Sequence, residues 1–238
     1  MSYFIFSLIV SINIFLLNSN SYSYNINDIT IYTEEDIPYV TVNEAKLIEG
    51  GLATEKVFKL LEKLHLPKDK IEIVPWARAY SEAINKENIL VFPIVKTEER
   101  LKKLNFIIRL VDSYTYLYKL KARKNITIKK MNEAKKHSIC VVRDDFRHEY
   151  LKKEGFNNLE VSSDSLRNVK KFMEERCDLI ISSEIGIKNK LKSLKYNFEL
   201  LEEIFQLKNL DSSLYLAINK STNHKIIDRI KNAAKQIK

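Results

Sequence analysis

The sequence predicts an α/β protein built as two lobes of similar size, and three observations predict it. Short β-rich apolar segments alternate with amphipathic helical ones, the order that gives a largely parallel sheet covered by helices. That alternation runs once from about Asp28 and starts again at about Tyr114. A last strand and helix, "SLYLAINK" and "NHKIIDRIKNAAKQI", follow the second series.

Taken in order, "DITIYT" alternates and reads as the first strand. "LATEKVFKLLEKLHLP" places Val57, Leu60, Leu61 and Leu64 at helical spacing, with Thr54 as the expected N-cap and Pro67 beyond the end. "IEIVP" is a short strand, "ARAYSEAINK" a helix, and "ILVFPIV" an apolar strand in which Phe92 and Pro93 are core and strand end. "VKTEERLKKLNF" then gives Thr97, two glutamates, Arg100 and a basic helical run.

In the second series, "SICVV" is a strand and "DDFRHEYLKKEG" a helix, with Asp145 as N-cap and Gly155 as its stop. "LEV" is a short strand. "SSDSLRNVKKFMEER" is a helix opened by Ser163 or Asp164, with Leu166, Val169, Phe172 and Met173 as its buried stripe. "CDLIISS" is the next strand. In the closing helix Ile226, Ile227, Ile230, Ala233, Ala234 and Ile237 share one face.

The N-terminus, "MSYFIFSLIVSINIFLL", is uncharged and its apolar run is shorter than a membrane span requires. Ser21-Tyr22-Ser23 supplies the small residues a signal peptidase favours, so residues 1–23 read as a cleaved export signal. The usual Lys or Arg before the apolar run is missing, which keeps a short anchor as the alternative. The expectation is a soluble, exported, periplasmic protein.

The formal net charge is +9. Its lysines are interleaved with acids, as in "EKLHLPKDK" and "KKMNEAKK", the pattern of solvated helices and not of a nucleic-acid surface. No nucleic-acid partner is expected. Four glycines in the chain exclude a dinucleotide-binding GxGxxG and a P-loop. His65, His137, His148 and His224 lack ligand spacing, so neither a metal site nor a cofactor is expected, and His148 reads as a helix-surface residue. Cys140 and Cys177 lie in or beside strands of the same half, and the sequence leaves open whether they pair.

With these segments in order, the chain resembles the periplasmic solute-binding proteins of amino-acid ABC importers, the family-3 extracellular solute-binding group. The matching stretches are "DITIYTEEDIPYV", "VPWARAYSEAINKENILVFPIVKTEERLKKLNF", "HSICVVRDDFRHEYLKKEGF", "ERCDLIISSE" and the C-terminal strand and helix. The resemblance implies a periplasmic-binding-protein-like fold: two α/β lobes, a hinge and an interlobe cleft. Lobe 1 would comprise residues 24–113 and 213–238, and lobe 2 residues 114–212. It also implies a monomer that takes a small, carboxylate-bearing ligand and delivers it to an ABC permease in the inner membrane, without catalysis.

The resemblance assigns Arg100 as the clamp for the ligand's carboxylate, a task suited to the planar guanidinium fork, with a surface arginine on a charged helix as the competing reading. Trp76 and Tyr39 would sandwich an apolar or amine-bearing part of the ligand, with core packing as the competing reading. Arg78 and Arg143 would face the cleft, with a surface position as the competing reading for Arg78. The acid that takes a ligand ammonium in the family falls at Ser183, with Glu184 adjacent. Two departures stand out: Val95 replaces a small hydroxyl residue, and "RDDFR" replaces a glycine-containing anion-binding turn. With Arg147 joining Arg78, Arg100 and Arg143 near loop ends, the expected ligand is anionic or carboxylate-rich. The competing functions are a dehydratase-like cleft enzyme, with Glu184 as its acid or base, and an extracellular sensor or accessory domain.

Overall fold

The computed structural model describes residues 24–208 and 211–237. The export signal expected over residues 1–23 lies outside the described residues. The chain first forms strand β1 (Thr30–Thr33), a small hairpin of β2 (Thr41–Val42) and β3 (Ile48–Gly50), and helix α1 (Thr54–Leu64). Next come β4 (Ile71–Ile73), α2 (Trp76–Asn85), β5 (Ile89–Val95), α3 (Glu98–Lys103) and β6 (Leu104–Val111). The second series is β7 (Thr115–Leu120), β8 (Ile139–Val142), α4 (Phe146–Lys153), β9 (Leu159–Ser162) and α5 (Ser165–Met173). It continues with β10 (Leu179–Ser183), α6 (Glu184–Ser193) and β11 (Leu201–Gln206). β12 (Leu214–Asn219) and α7 (His224–Ala234) complete the chain.

Two five-stranded sheets result. The first has the order β4-β1-β5-β12-β6 and the second β11-β7-β10-β8-β9. β1 pairs in parallel with β4 and β5, and β8 in parallel with β10 and β9. The strands at which the chain changes sheets run the other way: β12 is antiparallel to β5 and β6, and β7 is antiparallel to β10 and β11. The chain therefore crosses twice, between β6 and β7 and between β11 and β12. At the crossings the Thr115 and Ser212 hydroxyls share a 2.8 Å hydrogen bond, and the Leu207 N–H donates to the Thr115 carbonyl at 2.9 Å.

Each sheet is covered on both faces, as a parallel core requires. β5 is buried at every one of its seven positions, which explains a continuous apolar run in place of alternation. On one face of the first sheet α1 and α7 pack Leu60, Leu61, Ile226 and Ile230 against Leu90 and Phe92. On the other, α2 packs Ala79 and Ala83 against Val91 and Ala217. In the second sheet, Val169, Phe172, Ile187 and Leu191 of α5 and α6 pack with Cys140 and Ile180. Cys140 and Cys177 form a disulfide with Cα atoms 5.8 Å apart. That resolves the pairing left open by the sequence.

Several local expectations shift. Ala53 is the N-cap of α1, and Thr54 is its first helical residue, its hydroxyl donating to the Tyr39 carbonyl at 3.3 Å. Asp145 and Asp164 do cap α4 and α5, accepting from Arg147 N and Arg167 N. On α5 the buried stripe is Asn168, Val169 and Phe172, whereas Leu166 is exposed. The start of α5 meets the first sheet's loops, so a polar side chain is covered there and the leucine faces out. Glycine matters most at Gly51, whose φ is +125° and whose added Cβ would stand 2.3 Å from the Tyr39 carbonyl oxygen. Only glycine fits that close approach. It lets the Leu52 and Ala53 N–H groups donate to the carbonyls of Pro38 and Tyr39, fixing the segment that carries Tyr39.

Candidate functional site

The carboxyl ends of the parallel strands of both sheets meet at one seam, where ligands bind in open α/β sheets. From the first sheet come Glu34 and Asp36 after β1, Trp76 at the start of α2, Val95 at the end of β5, and Arg100 on α3. From the second come Val142 ending β8, Asp145, Phe146 and Arg147 after it, Ser165 and Asn168 on α5, Ser182 and Ser183 ending β10, and Lys190 on α6. They enclose a cavity whose interior offers about 50 Å³ to the centre of a water molecule. A wider opening on one side, lined by Glu34, Glu35, Lys46, Asp164, Arg167 and Lys190, shares Glu34, Ser165 and Lys190 with the cavity.

Arg100 sits at the junction and is 1% exposed. Thr97 caps its helix, accepting from Arg100 N, so the short α3 holds the side chain inward. The guanidinium lies 4.8 Å from the Tyr80 ring centre and 5.5 Å from that of Trp76, which stacks on Tyr80. Cation–π contact with this stacked pair, together with its burial, holds the guanidinium in place. Nη1 donates to the Val95 carbonyl at 3.2 Å, so the residue that replaced a hydroxyl serves through its backbone. Nη2 donates to the Asp144 carbonyl at 3.2 Å and forms an ion pair with Glu149 at 3.2 Å. The Trp76 indole N–H donates to the same Asp144 carbonyl at 2.8 Å. Asp144 takes a left-handed φ of +56°, and its N–H donates to His148 Nδ1 at 3.1 Å. Burial pulls the His148 pKa down, in keeping with an acceptor nitrogen at Nδ1. The glycine-free turn therefore presents a carbonyl to the first sheet, the reverse of an anion-binding turn.

A second set of contacts closes the opposite side of the seam. Lys190, 4% exposed, pairs with Asp36 at 2.6 Å and donates to the Ile37 carbonyl at 2.9 Å. Ser165 donates to Asp36 at 2.8 Å, and the Tyr39 and Ser183 hydroxyls share a 2.8 Å bond. Arg147 pairs with its own cap, Asp145, at 3.2 Å. Among the described residues Glu34 forms no ion pair. Burial, with Asp36 and Asp145 nearby, pushes its carboxyl well above the usual range, against the smaller pull of Lys190 and the Trp76 backbone N–H. Burial also raises Glu149, and this outweighs the attraction of Arg100. Among the described residues, three buried polar atoms of the cavity lining have no partner: Arg100 Nε, Arg147 Nε and Asn168 Oδ1.

Among the residues singled out by sequence, the structure brings Arg100, Trp76, Tyr39 and Ser183 together at the cavity. Arg78 and Arg143 are exposed and do not line it. Glu184 also lies outside, paired with Lys188 on the surface of α6, its side chain 44% exposed. The sequence reading missed Glu34, Asp36, Asp145, Asn168, Glu149 and Lys190. Glu34 and Asp36 carried a usable signal, since "TEED" directly follows the first strand. Lys190 carried none, because it sits in a lysine-rich helix. The cavity lining holds both acids and bases, so it is not the purely cationic surface expected from the arginines.

No protein-family profile matches the chain, and no curated protein matches it. Solved structures do. A histidine kinase sensor domain with similarity to periplasmic binding proteins superposes with a TM-score of 0.72 at 14% identity, over 87% of this chain and 88% of that one. The substrate-binding protein of an amino-acid ABC transporter gives 0.71 at 18% identity, over 87% and 92%. ArtJ of Geobacillus stearothermophilus, an arginine-, lysine- and histidine-binding protein, gives 0.71 at 15%, over 87% of both chains. At such identities the likeness establishes the fold, the periplasmic-binding-protein-like architecture of two α/β lobes. Among the described residues no helix is long and apolar enough to cross a membrane.

Proposed function

We propose that the protein is an exported solute-binding protein. It closes two lobes, residues 24–113 with 213–238 and residues 114–212, on a small polar, carboxylate-bearing ligand and presents it to an ABC permease. The observation that carries this reading is the set of buried, unpartnered polar atoms on residues lining an enclosed seam: Arg100 Nε, Arg147 Nε and Asn168 Oδ1. Native structures leave few such groups unpaired, because each costs about 1–3 kcal/mol. A ligand carrying both acceptors and donors pairs them. Nε and Nη2 form one edge of the Arg100 fork, the edge suited to a carboxylate. Closure needs no catalytic group: contacts with both lobes favour the closed state over the open one.

The test is a thermal-shift panel of amino acids, amines and dicarboxylates on the mature protein. A ligand at 100 times its Kd stabilises the folded state by about 2.7 kcal/mol, a rise of roughly 5–10 °C for a chain of this size. Arg100→Lys should weaken binding of the active compound, because an ammonium cannot form the two-point contact. A panel in which nothing moves the melting temperature removes the proposal.

The match to a sensor domain favours a second reading, in which the same closure is read by a signalling partner. Ligand-loaded protein that stimulates a reconstituted permease ATPase selects transport. Loaded protein that binds no permease selects sensing.

A further inference from the structure

Glu149 stands where the site's own logic would put something from outside. It belongs to α4 of the second sheet, yet both of its carboxylate oxygens lie within reach of Arg100 Nη2 in the first, at 3.3 and 3.2 Å. The same nitrogen also donates to the Asp144 carbonyl, and Nη1 is taken by Val95. Arg100 is thus held by acceptors of this chain on three sides, with only Nε unpartnered among the described residues. We propose that Glu149 is a built-in counter-carboxylate. It holds the lobes together through Arg100, and a ligand carboxylate gains its place on the guanidinium by displacing it.

This rests on the solute-binding reading only for the displacement half. The latch half follows from the seam, where second-lobe acceptors (the Asp144 carbonyl and the Glu149 carboxylate) meet first-lobe donors (Arg100 and the Trp76 indole). The latch is made to be displaced. Glu149 uses one nitrogen of the fork and its side chain stays 35% exposed, so it can swing to water. An incoming carboxylate spanning Nε and Nη2 makes two parallel charge-assisted bonds where Glu149 makes its contacts at one nitrogen. Glu149 would thereby act as a specificity device, admitting only carboxylates that bind Arg100 better than it does.

The experiment compares the mature wild-type protein with Glu149→Gln and Glu149→Ala, each checked for an unchanged circular-dichroism spectrum. Interlobe separation is read by donor–acceptor fluorescence between dyes placed on the exposed faces of α1 and α5. Affinities for L-arginine, L-glutamate and 1,4-diaminobutane are read by calorimetry. Without added solute, Glu149→Ala should shift the distance distribution to longer separations. An amino acid that binds the wild type should bind Glu149→Gln at least about tenfold more tightly, while the diamine is unaffected. Identical distance distributions overturn the latch, and a weaker amino-acid affinity in Glu149→Gln overturns the competition. If no solute binds any of the three proteins, the solute-binding reading fails, and the distance measurement still decides the latch.

Discussion

Removing the Cys140–Cys177 disulfide should cost the second lobe much of its stability. The bond closes a sequence separation of 37 residues. With the chain-entropy relation, a loop of that length gives a denatured-state entropy loss near 13 cal/mol/K, or about 4 kcal/mol at 25 °C. At roughly 2–4 °C per kcal/mol for a chain of this size, the melting temperature should fall by about 8–15 °C. Both cysteines also belong to the buried cluster of Val169, Phe172, Ile180 and Leu191, so a variant with both changed to alanine loses some contact area as well. The assay is a thermal melt of oxidised wild type, wild type in reductant, and the double-alanine variant. The latter two should both lie well below the first, with the double-alanine variant the lower of the pair. If reductant leaves the wild-type transition where it was, or two free thiols titrate in the folded protein, the reasoning is wrong.

Three other perturbations test the seam. Glu34 carries a carboxyl raised by burial and by Asp36 and Asp145, so its stabilising contribution is complete below the unfolded pKa and lost as pH rises through the folded one. Glu34→Gln should therefore be near neutral at about pH 4 and stabilising at about pH 8; a difference that stays flat across that range refutes it. Gly51→Ala sets a Cβ against the Tyr39 carbonyl at a left-handed φ, and should cost about 1–3 kcal/mol in a denaturant melt. An unchanged midpoint would mean that the Tyr39 segment is not fixed there. Lys190→Met strands the Asp36 carboxylate and should cost about 3 kcal/mol. Adding Asp36→Asn should recover most of it in a double-mutant cycle, and a single variant as stable as the wild type would show the pair to be idle.

The fold was legible where local signals and burial agree. The β5 run, the α1 and α7 faces and the aspartate caps of α4 and α5 appear where patterning places them. The β2–β3 hairpin, β6, β7, α6 and β11 were not assigned. Their residues mix charge with apolar character, as in "TYLYKL" and "LEEIFQ", because these strands flank the crossings and the sheet edge. In the site, Arg100 and Trp76 were legible through the resemblance carried by the "VPWARAY" and "KTEERLKK" stretches, and not from the residues alone. What they touch was not. Glu149 and Lys190 look like ordinary solvated helix charges, and only the meeting of two distant segments, Arg100 with Glu149 and Asp36 with Lys190, makes them part of the seam. The Asp144 turn gave no glycine to mark its left-handed backbone.

Trp76 is the sole tryptophan of the chain, and it lies at the seam with its indole N–H on the second lobe's Asp144 carbonyl. Its emission during a solute titration therefore reports directly on whether the lobes meet around a guest. A saturable shift with one-to-one stoichiometry, for a compound that also raises the melting temperature, is the predicted result. A compound that binds and stabilises the protein while leaving the Trp76 emission untouched would place the binding site elsewhere.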